Sequence, residues 1–219
     1  MRIDFFRNDT TNLLDALVDY QAAMEAQLVI VQGNEQKRIM AWTSSTDSAE
    51  FDIARDEYTW TYDFTFPRYL RYSFIVLLFL VVESKLYGLC DEIGKRRGVS
   101  DKKAKALDGN VFQRCKKYLH ESAGISRLNE PLWIEMEDLS KVRHCVVHTL
   151  GKVDLSKDKD HIQHIAAQKR GLSISDNELP EEGVIVVTAE YCAKAVANAR
   201  QFFNELLDAA GFGPAISMF

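Results

Sequence analysis

One short segment concentrates the residue types that do acid–base and phosphate chemistry: Arg143-His144-Cys145-Val146-Val147-His148. Histidine titrates near neutrality and both takes and gives protons in that range. Arginine carries a permanent charge on a planar fork of donors, which grips a phosphate and offsets charge developing on it. Helix geometry constrains the pair. Five residues at 100° each set Arg143 and His148 about 140° apart, off a common face. They converge if the last turn unwinds before Gly151, if Arg143 reaches around on its stem, or if a second copy supplies one of them. His144 and His148, four apart, do share a face. As a metal pair they lack a Glu after the first histidine and a third ligand nearby. The plain alternative is a structural arginine and a helix-terminal histidine favoured by the dipole.

The elements around this segment read as helices. Leu13, Leu14, Leu17, Met24, Leu28 and Val31 recur at spacings of three, four and seven, with Asp9 and Thr10 as caps, predicting a helix from about residue 11 to the mid-forties. A polar run, Ser44-Ser45-Thr46-Asp47-Ser48, interrupts it, with Asp47 or Ser48 capping a shorter continuation. Tyr58, Trp60, Tyr62, Phe64 and Phe66 alternate strictly, which reads as a short strand or an extended connection. Pro67 opens the next helix, residues 68–97, closed by Lys95-Arg96-Arg97 and Gly98. Its apolar run over residues 74–82 places it centrally and is too short for the roughly 20 residues of a membrane span.

Asp108 caps a helix over residues 109–122, and Asn129 with Pro131 opens the one that carries Arg143 to His148 and ends near Gly151. Residues 156–170 read as loop or exposed helix. Leu172-Ser173-Ile174 and Val184-Ile185-Val186-Val187 flank a turn at residues 177–183, giving a hairpin. Thr188 then caps a last helix over residues 189–210.

Composition limits the function classes. The 219 residues are 47% hydrophobic and 27% charged, with 4 prolines and 11 glycines, which favours one helical domain. A net charge of -5 and a pI near 5.6 lack the basic footprint of a tight duplex binder. The four cysteines Cys90, Cys115, Cys145 and Cys192 contain no C-x-x-C pair and fit buried thiols in a reducing compartment. The polar N-terminus argues against a secretory signal. The expectation is a soluble cytoplasmic protein with no membrane partner.

The run from Leu139 to Gly151 resembles the motif of the HEPN superfamily, in which an arginine is followed by Asn, Asp or His, three to five further residues, and a histidine. Arg143, His144 and His148 match with the shortest spacing. Residues 79–86, an apolar helix with Glu83 embedded, and the hairpin leading into an amphipathic final helix are also similar to family members. The likeness covers residues 68–210. It implies an all-α, HEPN-like helical bundle with a small β-hairpin before the C-terminal helix. One domain over residues 1–219 is expected, with a core at 66–210 and an N-terminal helical extension at 1–65. The resemblance further implies a metal-independent endoribonuclease without cofactor, acting on RNA as a homodimer with a composite active site. Toxin or antiphage defence effectors are common in the family, so an antitoxin or defence-system partner is implied too. In that reading His148 is general acid/base, Arg143 the phosphate and transition-state ligand, and His144 and Glu83 supports. The alternative is a HEPN-like module that binds RNA, nucleotide or protein without cleavage.

Several other features carry bland readings. Glu83 equally fits a solvated stripe paired with Lys85 or Arg71. His161 and His164 sit among lysines and read as surface. Lys95, Arg96, Arg97, Lys102, Lys103 and Lys105 form the densest basic patch, half explained by helix C-terminal charge. The aromatic alternation reads as core packing rather than a base-stacking platform, since Asp56, Glu57 and Asp63 surround it.

Overall fold

The computed structural model describes residues 4–42, 48–99, 101, 103–125, 128–176 and 181–213. Helices dominate them: α1 (Phe5–Trp42), α2 (Ser48–Tyr58), α3 (Phe66–Arg97), α4 (Val111–Lys117), α5 (Glu130–Thr149), α6 (Lys159–Gln168) and α7 (Ala189–Ala209). An antiparallel hairpin, β1 (Leu172–Ile174) and β2 (Ile185–Val187), precedes α7 with Leu172 opposite Val187 and Ile174 opposite Ile185. The fold is the expected all-α bundle with a small hairpin.

Local chemistry sets the helix starts, in places shifted from the sequence reading. α1 begins six residues before the expected position, because Asp4 Oδ1 accepts the Arg7 N–H at 3.1 Å and serves as the cap. Asp9 and Thr10 lie inside the helix; the Thr10 hydroxyl donates back to the Phe6 carbonyl at 2.9 Å. Asn110, not Asp108, caps α4, through a reciprocal box with Gln113. Asn129 and Thr188 cap α5 and α7 as expected, at 3.3 Å from the Leu132 and Tyr191 N–H groups respectively. The expected break at residues 44–47, with the Asp47 cap, lies outside the described residues, as do Lys102 and residues 177–180 of the turn.

The aromatic stretch is helical, not extended. Thr59–Thr65 is a π-helical turn joining α2 to α3, and the Phe66 N–H bonds to the Thr61 carbonyl five residues back. Alternation at every second residue also contains the i,i+4 spacing, and the rings use it: Tyr58–Tyr62 at 5.4 Å, Trp60–Phe64 at 6.0 Å and Tyr62–Phe66 at 5.2 Å. Pro67 therefore lies within a continuous helix, and the wider register just before it accommodates the hydrogen bond that proline cannot donate.

The chain forms two compact units. One comprises Met1–Val18, Leu77–Lys141 and Lys194–Phe219; the other comprises Asp19–Val76 and Val142–Ala193. In the first, a relay of rings builds the core: Phe79 to Phe112, Phe112 to Trp133, Trp133 to Phe202 and Phe202 to Phe203, mostly edge-on. In the second, Phe74, Ile75, Val142, Cys145, Ile162, Ile165 and Ile185 are buried together with Cys192. All four cysteines are buried free thiols. α3 is less central than its composition implies, because Leu77 and Leu80 are 38% and 48% exposed. By length and apolarity alone the continuous helix Ala49–Arg97 could cross a membrane, with half of its most apolar window buried.

Two ion pairs brace the second unit. Arg71 holds Glu25 in a bidentate pair, donating from Nε and Nη2 at 2.8 and 2.9 Å, and the buried Arg68 holds Glu181 at 2.6 Å. Next to them α5 is stopped. Leu150 and Gly151 enter left-handed backbone, with φ 52° and 87°, and the Gly151 N–H reaches back to the Cys145 carbonyl. The Gly151 carbonyl then accepts the Ile185 N–H at 2.9 Å, and the Tyr72 hydroxyl donates to the Ile185 carbonyl. A Cβ at Gly151 would overlap the Tyr72 hydroxyl and lie 2.8 Å from ring atom Cζ. Gly151→Ala is expected to cost about 2–4 kcal/mol in urea unfolding, from left-handed backbone strain plus overpacking. A cost within about 0.5 kcal/mol would overturn this account of the stop.

Candidate functional site

The last two turns of α5 follow from which residues face inward. Val142, Cys145 and Val146 are buried at spacings of three and four. Arg143 and His144, which fall between these positions, are half-buried, and Val147 and His148 are exposed. Arg143 leaves one flank of the buried stripe and the two histidines the other.

α5 stays α-helical through Thr149. The unwinding that would have brought Arg143 and His148 together begins at Leu150, two residues too late. Within one chain the two remain about 140° apart around a regular helix, with the Val147 direction between them. The structure does bring His144 and His148 together: their ring centroids are 4.4 Å apart at 52°.

A turn that sequence reasoning treated as surface completes the surroundings of His144. The chain passes from Gly151 through a 3-10 turn, Val153–Leu155, into α6, so Asp158 returns to the end of α5. Asp158 Oδ2 lies 3.1 Å from His144 Nδ1, with its side chain 11% exposed. The N–H is not aligned for a hydrogen bond, so the contact is electrostatic. Asp158 is itself fixed through its backbone N–H, which donates to Ser156 Oγ at 3.2 Å. Burial first, then the Lys157 charge and His148, lower the His144 pKa below its ordinary value, and Asp158 opposes them. The net effect favours the neutral imidazole. Cys145 is not an alternative nucleophile, because burial pushes its thiol up.

The other sequence candidates fall elsewhere. Glu83 is half-buried in the other unit and makes no hydrogen bond or ion pair among the described residues. Neither partner suggested for it is available, since Lys85 pairs with Asp9 and Arg71 with Glu25. His161 and His164 are exposed on α6. In the basic patch Arg96 pairs with Glu92 and Asp4, Lys103 with Asp91, and Arg97 donates to the Ala123 carbonyl. No group of three or more His, Cys, Asp or Glu side chains positioned to hold a metal occurs among the described residues.

Sequence reasoning missed Asp158, Lys157 and Ser156. Their one advance signal was that Ile162 and Ile165 sit three apart in an otherwise polar run, a spacing that docks α6 and draws its leading turn inward. Comparison of the chain with protein-family models, curated proteins and solved structures returns no match.

The lowered His144 pKa has a definite thermodynamic sign. Between the folded value and the unfolded value near 6.5, the unfolded chain binds more protons, so acidification disfavours the folded state. Thermal melts of wild type and His144→Gln across about pH 5–8 should diverge below pH ~6.5, with wild type losing more. Asp158→Asn should lower the His144 titration further in an NMR pH series. A wild-type curve parallel to the variant, or a rise in the pKa with Asp158→Asn, would contradict the assignment.

Proposed function

We propose that the protein is a HEPN-like, metal-independent endoribonuclease that works as a homodimer. The reading is carried by an exposed His148 packed against a half-buried His144, in the same two turns as Arg143. The pair fits transesterification at a phosphodiester. The ribose 2′-OH attacks the adjacent phosphorus, a base takes its proton, the P–O5′ bond breaks, and an acid protonates the leaving 5′-oxygen. His148, open to solvent, is the general acid/base, and Arg143 offsets charge on the phosphorane-like oxygens. His144 orients His148 and is itself oriented by Asp158.

Because α5 is regular through Thr149, Arg143 and His148 of one chain diverge. A composite site, with Arg143 from one subunit and His148 from its partner, meets the geometric requirement more directly than a reach within one chain. A toxin or defence effector acting in the cytoplasm, with an antitoxin or defence-system partner, is the setting that the motif resemblance favours.

A second reading has its own support. The net charge of -5 and the carboxylates answering Lys95, Arg96 and Lys103 of the basic patch suit a HEPN-like module that binds RNA, nucleotide or protein without cutting. Incubation of purified protein with mixed RNA in EDTA separates the two. Cleavage should survive the chelator and fall about a hundred- to ten-thousand-fold in Arg143→Ala and in His148→Ala. Mixing these two inactive variants should restore up to about a quarter of wild-type activity, since each mixed dimer keeps one intact composite site. Intact RNA with retained binding supports the module, and cleavage untouched by both substitutions ends the nuclease proposal.

A further inference from the structure

The second unit holds a cavity of about 680 Å³ that the nuclease reading does not use. It opens between the C-terminal turn of α1, which gives Arg38, Ile39 and Ala41, and α2 with the π-helical turn, which give Ala54, Glu57, Tyr58, Thr61 and Tyr62. Its volume lies within the range of small-molecule sites, roughly 300–1,000 Å³.

Its wall is rigid and aromatic. The Tyr58 and Tyr62 rings lie 5.4 Å apart at 31°, and Tyr62 is backed by Phe66 edge-on at 5.2 Å. Tyr58 is pinned by its hydroxyl, which donates to the Gln32 carbonyl at 3.2 Å. Gln32 Nε2 in turn donates to the Tyr62 carbonyl at 2.7 Å. The π-helical turn that sets these rings is a backbone form that recurs at functional sites.

Charge decides the ligand class. Arg38, the cation of the lining, is paired with Glu35 at 2.6 Å. Glu57 is exposed and has no hydrogen-bond or ion-pair partner among the described residues. Among its described lining residues the cavity thus offers one uncompensated carboxylate and two tyrosine rings, and carboxylates and electron-rich rings attract positive charge. The carboxylates of Asp63 and Glu35 also act on the Tyr58 phenol, adding to burial in raising its pKa, so the surrounding field is negative. An anionic nucleotide would meet that field with its charge already opposed.

We infer that this cavity is a binding site for an organic ammonium cation, whose head sits against Glu57 and the Tyr58 and Tyr62 rings while an apolar stem lies along Ile39, Ala41 and Ala54. The site stands independently of the nuclease reading.

Isothermal titration of the full chain with hexanoylcholine tests it. Its uncharged carbon isostere, 3,3-dimethylbutyl hexanoate, and adenosine monophosphate serve as controls. The cation should bind at least about tenfold tighter than the isostere, the factor expected of a desolvated ammonium on aromatic faces. Glu57→Gln should abolish most of that preference while melting like wild type, because Glu57 is exposed. Tyr62→Leu should weaken binding of cation and isostere together. Equal affinity for cation and isostere, tighter binding of adenosine monophosphate, or no binding of any of the three would overturn the inference.

Discussion

Leu150 and Gly151 turn α5 into left-handed backbone because the space beyond is already taken. Tyr72 fills the position that a side chain at Gly151 would occupy, and its hydroxyl is committed to the Ile185 carbonyl. The glycine's own carbonyl accepts from Ile185, so helix end and hairpin share one small set of hydrogen bonds. This stop leaves His148 in the last full turn, exposed. It also sends the chain back so that Asp158 meets His144. Were α5 two residues longer, the returning turn would start elsewhere and that carboxylate would have no imidazole to face.

The regularity of α5 up to its stop has the opposite effect on Arg143. A helix that frays early lets side chains on different flanks converge, whereas one held by a tight glycine turn keeps them apart. The same interaction that orders the histidine pair therefore separates the arginine from it. The proposed homodimer would resolve this tension, since a two-fold axis near the exposed Val147 and Leu150 would bring the arginine flank of one helix to the histidine flank of the other.

The architecture was legible wherever periodicity and capping agreed. Asn129 and Thr188 announced α5 and α7, and the continuous apolar Val184 to Val187 run announced its strand. Reading failed where one pattern fits two structures. Tyr58 to Phe66 alternates, and alternation contains every fourth residue, so strand and helix were equally written into it until tertiary context chose. Asp4 lost to Asp9 and Thr10 as the predicted cap because nothing local distinguishes one acidic residue before an apolar stripe from another. In the site, Arg143, His144 and His148 were visible because they interrupt an apolar helix face. Asp158 was not, because its role depends on a tertiary return from a polar run that composition marks as surface.

Charge sets how strongly any polyanion is held. With a net charge of -5, and with Arg96, Lys103, Lys116, Lys152 and Lys159 each answered by a carboxylate, these cations are less able to displace counterions from RNA. A substrate that few lysines grip leaves quickly, which suits turnover and works against stable storage of RNA on the surface. In the proposed nuclease, affinity would concentrate in the handful of groups at the end of α5, where a single guanidinium would supply both binding and transition-state charge. An acidic surface around a small basic site disfavours non-specific duplex binding while leaving a scissile phosphate in a flexible strand able to reach it. The acidic composition is therefore compatible with cleavage provided that the phosphate contacts are few, local and made by two subunits at once.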